Sequence, residues 1–159
     1  MDGRAPRSTA GERFERVLKL LIVAHGKLKD KALRSVCDDY IGRVRRYVRC
    51  EEIEVKDANG FERAIPDDAL VVALEVDGES VSSTELSRLV ERWLAHGKGV
   101  VAFAIGGAEG LPREFSARAR HRLSLSRLTL PHRLARVLLA EQLYRSLSIL
   151  RGEPYARED

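Results

Sequence analysis

The chain has 159 residues, 33% of them charged, and its 28 Lys and Arg against 24 Asp and Glu give a formal net charge of +4. A chain of this length can bury a full core, and no run approaches the roughly 20 apolar residues of a membrane span, which argues against a membrane protein. Its two cysteines, Cys37 and Cys50, have no partners at the spacing of a metal site or a disulfide framework, so we expect a cytoplasmic protein without metal.

The first 15 residues look like an extension rather than a part of the fold. They are rich in Arg, but Asp2, Glu12 and Glu15 are unlike a transit peptide. The apolar run that follows is interrupted by Lys19 and lacks the cleavage pattern of a signal peptide. We therefore expect residues 1–15 to be poorly ordered and residues 16–159 to form one domain.

Short apolar runs rich in β-branched residues alternate with longer stretches of helical spacing. The strands predicted from these runs, in chain order, cover residues 18–24, 50–56, 70–76, 99–105 and 123–126. Apolar residues at i, i+3, i+4 and i+7 predict an amphipathic helix over 33–48, and Ser82 with Glu85 forms a capping box for a second helix that ends at Gly97. Strands that alternate with helices predict an α/β fold, with a mainly parallel sheet and helices on both faces.

A last helix is predicted over residues 132–150, and apolar side chains wrap most of its circumference. A helix that is apolar nearly all round has to be buried on two sides. One side can face the sheet. The other side favours contact with a second copy of the chain, so we predict a homodimer.

The stretch AFAIGGAEGL ends a predicted strand at Gly106 and Gly107, and Gly110 follows closely. Ligands of open α/β sheets bind where the strands end, and adjacent glycines let a ligand touch the main chain. A plain turn into a helix that starts near Pro112 is the alternative. The spacing GGxxG does not match the dinucleotide pattern GxGxxG, and the chain has no GxxxxGK[ST] phosphate loop. The glycines therefore predict a ligand site of another kind.

Arginines cluster in the stretches RVRRYVR, REFSARARHR and PHRLAR. Such clusters favour a polyanionic partner, although basic runs on helices are often only solvated faces. Arg136 has the further alternative of pairing with Glu141. The side chains that we predict to contact RNA phosphates are Arg43, Arg45, Arg46, Arg118, Arg120 and Arg136.

Four stretches together resemble one known family: VAHGKLKD, LEVDGESVSSTELS, FAIGGAEGL and LSLSRLTLPHRLARVLLAEQLYRSLSILRGEPY. They are similar to the RlmH-type methyltransferases of the SPOUT superfamily, and the resemblance covers residues 18–157. Members of this family methylate N3 of a pseudouridine in helix 69 of bacterial 23S ribosomal RNA. The resemblance implies a homodimer with a C-terminal trefoil knot that binds S-adenosylmethionine. The knot rests on the resemblance alone, because unknotted connections are the general expectation.

The resemblance also implies which residues form the site. The cofactor contacts of the family fall on Leu74, Gly107, Ser126, Arg127, Leu128, Thr129, Leu130 and Pro131, and we add the neighbouring Gly106. The substrate side of the family pattern matches His132, Arg136, Glu141, Tyr155 and Arg157. Of these we predict His132, Tyr155 and Arg157 to be catalytic. N3 has to lose a proton, and the base is left open between His132, water and Tyr155.

Two departures from the family pattern are present. The segment 57–69 is shorter than in the family, where it often carries its own helix. The tail reads Pro154, Tyr155, Ala156 where the family has Pro-Tyr-His, so one imidazole is missing. The missing imidazole keeps open one alternative, an inactive module that binds ribosomes. The GGxxG spacing keeps open another, an unrelated nucleotide-binding domain. We predict an active enzyme that works on the assembled 70S ribosome, with a tail that extends from the last helix toward a cofactor pocket.

Overall fold

The structure is a computed structural model that describes residues 17–96 and 98–157. Five strands form one sheet in the order β2-β1-β4-β3-β5, and the four strand pairings between them are parallel. The strands are β1 (Lys19–His25), β2 (Arg49–Val55), β3 (Leu70–Ser80), β4 (Val100–Ile105) and β5 (His121–Ser124). The α/β prediction is therefore confirmed.

Helices cover both faces of the sheet. They are α1 (Lys31–Val44), α2 (Ala58–Ala64), α3 (Ser83–Ala95), α4 (Arg113–Arg118) and α5 (His132–Leu150), and one 3₁₀ turn (Pro154–Arg157) follows. Because side chains alternate along a strand, β1 sends Leu20 and Ile22 into a core under α1, α3 and α5. It sends Leu21 and Val23 into a second core under α2 and α4. In the described part of the chain, none of the helices has the length and apolarity to cross a membrane.

The observed elements differ from the predicted ones at several boundaries, and α1 ends at Val44 instead of at residue 48. Strand β3 runs on to Ser80, four residues beyond its predicted end, and β5 begins two residues before its predicted start. The short segment 57–69 still carries a helix, α2, whose first turn is capped where Asp57 accepts a hydrogen bond from the N–H of Gly60 at 2.9 Å. Residues 1–15 and Gly97 lie outside the described residues. The knot and the single domain over 16–159 stay predictions.

Helix α5 packs between α1 and α3 and touches β4. Leu139 and Leu143 lie on its inner side and are completely buried. Leu134 and Leu138, one helical turn apart, are each 38% exposed on the outer side. The helix is therefore covered on one side, and an apolar strip stays open in the single chain.

Helix α3 offers a direct test of the capping box. The Ser82 hydroxyl accepts a hydrogen bond from the N–H of Glu85 at 3.1 Å. We expect Ser82→Ala to lower the free energy of unfolding by about 1 kcal/mol, because an N–H in the first turn loses its partner. Thr84→Ala, an exposed change in the same turn, should stay within about 0.5 kcal/mol of wild type in the same denaturant titration. Equal effects of the two substitutions would contradict the capping role.

Candidate functional site

Three loops meet at the carboxyl edge of the sheet and enclose a cavity of about 690 Å³. The first loop is residues 74–77, an irregular stretch inside β3 where its pairing with β4 ends. The other two are residues 106–111, after β4, and residues 125–131, after β5. The first turn of α5 closes one end of the cavity with His132 and Ala135. A cavity of this size can enclose a ligand as large as a nucleoside derivative.

Most of the residues predicted to bind a cofactor lie around this cavity. Its walls include Leu74, Gly106, Gly107, Ser126, Leu128, Thr129, Leu130 and Pro131. Arg127 belongs to the same loop, but its side chain is exposed and does not line the cavity. The structure thus brings together residues that are more than 50 positions apart in the sequence.

The two adjacent glycines are required by close contacts within the chain. A Cβ atom on Gly106 would overlap the backbone of Gly110, and a Cβ atom on Gly107 would overlap the imidazole of His25. Gly110 itself has φ +79°, a conformation that favours glycine. The expectation that the missing side chains leave space for a ligand is therefore incomplete, because protein atoms already fill the space beside both Cα atoms.

His25 is a part of this arrangement that sequence reasoning missed. It ends β1, between β2 and β4, and its Nε2 lies 3.0 Å from the carbonyl oxygen of Lys56. Its ring rests against Gly107 and so links the end of β2 to the glycine loop. The motif VAHGKLKD contained His25, but no spacing in the sequence indicated that it would face the glycines.

The cavity is acidic although the protein as a whole is basic. Glu75, Asp77 and Glu109 line it, and none of the Lys and Arg side chains that the structure describes does. Arg122, outside the cavity, pairs with Glu75 and Asp77, so one positive charge stands against three negative ones. The remaining negative charge attracts a cation and repels phosphate groups. The charge pattern therefore favours a positively charged ligand over a dinucleotide.

His132 and Tyr155, both predicted to be catalytic, do not meet within one chain. His132 lines the cavity at the start of α5, whereas the Tyr155 hydroxyl donates a hydrogen bond to Oε1 of Glu141 at 3.0 Å. Nine residues of helix separate His132 from Glu141, a rise of about 14 Å. Arg157 is exposed in the same 3₁₀ turn as Tyr155.

Tyr155 is poorly suited to act as a base. Its ring packs against that of Tyr144, with centroids 4.5 Å apart. Partial burial, together with the hydrogen bonds to Tyr40 and Glu141, raises the pKa of the Tyr155 phenol well above its usual range. The phenol therefore stays protonated near neutral pH and donates a hydrogen bond to Glu141.

The expectation of an extended tail is wrong for the single chain. Gly152 has φ +65°, its N–H donates to the carbonyl of Ile149, and the N–H of Glu153 donates to that of Ser148. These two hydrogen bonds form a Schellman motif, which turns the chain sharply at the end of a helix. Residues 154–157 then form one 3₁₀ turn that packs back on α5 instead of crossing to the cavity.

The assignment of Arg136 to RNA phosphates is wrong. Arg136 is 1% exposed, and Nη2 donates to Glu52 and Glu54, each at 2.7 Å. Its Nη1 donates to the carbonyl of Gly26 at 3.1 Å. Burial alone would raise the pKa of Glu54, but the hydrogen bonds from Arg136 and from the N–H of Leu28 lower it. Arg136 is therefore an internal charge and does not pair with Glu141.

The other predicted RNA contacts fall into two groups. Arg43, Arg45 and Arg46 lie at the end of α1 and just beyond it, on one side of the sheet, whereas Arg118 and Arg120 lie at the end of α4 and just beyond it, on the other. The structure thus separates them into two surfaces. Some are also engaged within the chain: Arg43 pairs with Asp39 at 3.1 Å, Arg45 donates to the carbonyl of Cys50 at 2.9 Å, and Arg118 pairs with Glu62.

The chain is similar to known proteins over most of its length. Residues 18–156 match the family described as "Predicted SPOUT methyltransferase". A Sorangium cellulosum protein named "Ribosomal RNA large subunit methyltransferase H" is 52% identical over 145 residues, which cover 87% of this chain and 99% of the relative. A protein of the same name from Clostridium botulinum (strain Langeland) is 36% identical over 157 residues, with the same coverage.

Solved structures show the same fold. The crystal structure of a probable methyltransferase from Bordetella pertussis Tohama I superimposes with a TM-score of 0.55 at 14% sequence identity. The match covers 87% of this chain and 99% of that one. At this level of identity the likeness concerns the fold alone.

The role of Arg136 can be tested by unfolding. We expect Arg136→Gln to lower the free energy of unfolding by about 2 kcal/mol or more, because the largely buried Glu52 and its neighbour Glu54 then share Arg34 as their remaining cation. Arg46→Gln is the matched control, since Arg46 is exposed, and should change the free energy by less than about 0.5 kcal/mol. A loss below about 1 kcal/mol for Arg136→Gln would contradict the buried network.

The contact between Gly107 and His25 can be tested by a double-mutant cycle. We expect Gly107→Ala to cost about 1–3 kcal/mol of unfolding free energy, because the new methyl group displaces the His25 ring. Adding His25→Ala should recover part of that loss, since it removes the clash. Gly42→Ala, in open space on α1, should be neutral or stabilising. Strictly additive losses at positions 25 and 107 would show that the two residues do not interact.

Proposed function

Because the chain belongs to the SPOUT methyltransferase family, it is a methyltransferase, and we propose that it methylates N3 of a pseudouridine in helix 69 of bacterial 23S ribosomal RNA. The observation that carries the proposal is the acidic cavity enclosed by three loops at the carboxyl edge of the sheet. The name shared by relatives up to 52% identical, over nearly their full length, supports ribosomal RNA as the substrate.

Three features of the cavity fit S-adenosylmethionine as the methyl donor. Its volume suits a nucleoside derivative, Ile105 and Leu130 supply apolar walls, and its carboxylates suit a ligand that carries a sulfonium and an ammonium group. When bound, the cofactor would supply an activated methyl group. Leu74, Gly107 and the loop 126–131 would hold it. The same carboxylates argue against the alternative of a dinucleotide-binding domain.

The imide nitrogen N3 has to lose its proton as the methyl group arrives. His132 lines the cavity, and its exposed imidazole can accept that proton directly or through a water molecule. We prefer His132 to Tyr155 for this step, because the raised pKa of Tyr155 keeps its phenol protonated. Tyr155 and Arg157 then remain as contacts for RNA, through ring stacking and phosphate pairing.

The homodimer is a part of this proposal. Tyr155 is bound to Glu141, about 14 Å along α5 from His132, so a site that uses both His132 and Tyr155 needs the tail of a second chain. The exposed Leu134 and Leu138 offer an apolar strip for such a contact, beside the cavity end of α5. In this arrangement one protomer holds the methyl donor, and its partner brings Tyr155 and Arg157 to the RNA.

The partner that we propose is 23S ribosomal RNA within the 70S ribosome, so the reaction would take place in the cytoplasm. Arg43, Arg45 and Arg46 form one basic surface toward it, and Arg118 with Arg120 forms another. Two such surfaces on opposite sides of the sheet can contact separate stretches of folded RNA. Binding should therefore weaken as the salt concentration rises.

Methyl transfer from labelled S-adenosylmethionine to 70S ribosomes tests the proposal. We expect wild type to be active, and His132→Ala to lower the rate by about 100-fold or more through loss of the proton acceptor. A chain ended after Glu153 should lose activity as well, because it lacks Tyr155 and Arg157. Calorimetric titration should find cofactor binding preserved in both variants. A wild type that binds cofactor and ribosomes without transfer would identify an inactive binding module instead.

Mixing the two inactive chains tests the composite site. In a mixed dimer, the protomer with an intact His132 can receive the intact tail of the His132→Ala protomer. Random pairing should therefore restore about a quarter of the wild-type sites. No activity in the mixture, with mixed dimers verified by mass spectrometry, would place His132 and the tail of the same chain in one site.

A further inference from the structure

The acidic wall of the cavity is an irregular part of strand β3. Leu74 and Glu79 both pair with Leu123 of β5, so the residues between them have no partner strand. Residues 75–78, which we call the β3 bulge, protrude from the sheet as a short loop. Glu75, Val76 and Asp77 of the bulge line the cavity, and Val76 is 54% exposed.

The bulge stands directly on strand β5. A Cβ atom on Gly78 would lie 2.7 Å from the carbonyl carbon of Leu123 and 2.8 Å from that of Arg122. Glycine is therefore needed where the bulge returns to the sheet. This contact fixes the end of the bulge at Gly78. The tip of the bulge, Glu75 to Asp77, is held by side-chain contacts instead.

Arg122 supplies that support from β5. Its Nε donates to Oε2 of Glu75 at 2.5 Å, and its Nη2 donates to Oδ1 of Asp77 at 3.0 Å. A guanidinium can hold two carboxylates at once because its N–H groups are fixed in one plane. Arg122 does not itself line the cavity, so it acts there only through Glu75 and Asp77.

We propose that Arg122 is a positioning residue for the cofactor: its two ion pairs hold the β3 bulge where it forms one wall of the cavity. The inference rests on the proposed function, because it takes S-adenosylmethionine as the ligand. Neither the glycine loop nor the loop 126–131 makes a comparable contact to the tip of the bulge among the described ion pairs.

Loss of Arg122 has two effects of opposite sign on a cationic ligand. It leaves Glu75 and Asp77 without their counter-ion, which by itself would tighten the binding of S-adenosylmethionine, with its net positive charge. It also lets the wall move away from the cavity, which weakens any ligand that needs the wall in place. S-adenosylhomocysteine separates the two effects, because its thioether is neutral and its net charge is zero.

The test is calorimetric titration of the full chain with both ligands. We expect Arg122→Gln to raise the Kd of S-adenosylhomocysteine about three- to tenfold, as the competent wall becomes less populated. The Kd of S-adenosylmethionine should rise by a smaller factor, because the freed carboxylates offset part of the loss. Arg122→Lys should recover part of the affinity, since one ion pair survives. Arg63→Gln, which removes an exposed ion pair on α2, is the matched control and should leave both Kd values unchanged.

If Arg122 only stabilised the fold, its substitution would lower the thermal midpoint of the ligand-free protein. We expect that midpoint to be nearly the same in all four proteins, because exposed ion pairs contribute little to stability. Tighter or unchanged binding of S-adenosylhomocysteine by Arg122→Gln would overturn the inference and leave Arg122 as a counter-ion. A wild type that binds neither ligand would overturn the proposed function itself.

Discussion

Burying a guanidinium costs several kcal/mol of folding free energy unless carboxylates and carbonyls replace the water around it. Arg136 meets this condition with Glu52, Glu54 and the carbonyl of Gly26. It is the largest fully buried side chain in the described part of the molecule. Helix α5 must therefore pack where Arg136 can bond to Glu52 and Glu54 on β2. Because the loop 126–131 leads directly into α5, the same requirement sets the position of one wall of the cavity. The other walls rest on outside contacts as well: the glycine loop on His25, and the β3 bulge on Arg122.

Charge is distributed so that two ligands of opposite sign can meet. The chain carries a formal net charge of +4, but the cavity is lined by three acidic residues and by none of the described arginines. A polyanion is attracted to the outer surface and a small cation to the cavity. A methyl donor with a positive charge and an RNA acceptor are such a pair. His132, at the edge between the two regions, is placed where they would come into contact.

Periodicity predicted the parallel sheet, its five strands and the amphipathic helices, because apolar spacing reports directly which face of an element is buried. The three loops could be named from the resemblance, and the structure gathers them around one cavity. Contacts that depend on tertiary geometry could not be predicted. Arg136 looked exposed because charged side chains in helices usually are, and nothing local indicated that Glu52 and Glu54 would face it. The Schellman turn at Gly152 had a local signal, a glycine after a helix, but its effect on the direction of the tail needed the structure.

We propose that this acidic cavity serves methyl transfer to one pseudouridine of ribosomal RNA. Mass spectrometry of 23S ribosomal RNA fragments, from cells with and without the gene for this chain, is the decisive test. We expect a single methyl group on a helix 69 pseudouridine to be lost with the gene and to return when wild type is supplied, but not when His132→Ala is supplied. The same methyl group in both kinds of cell would rule out this function.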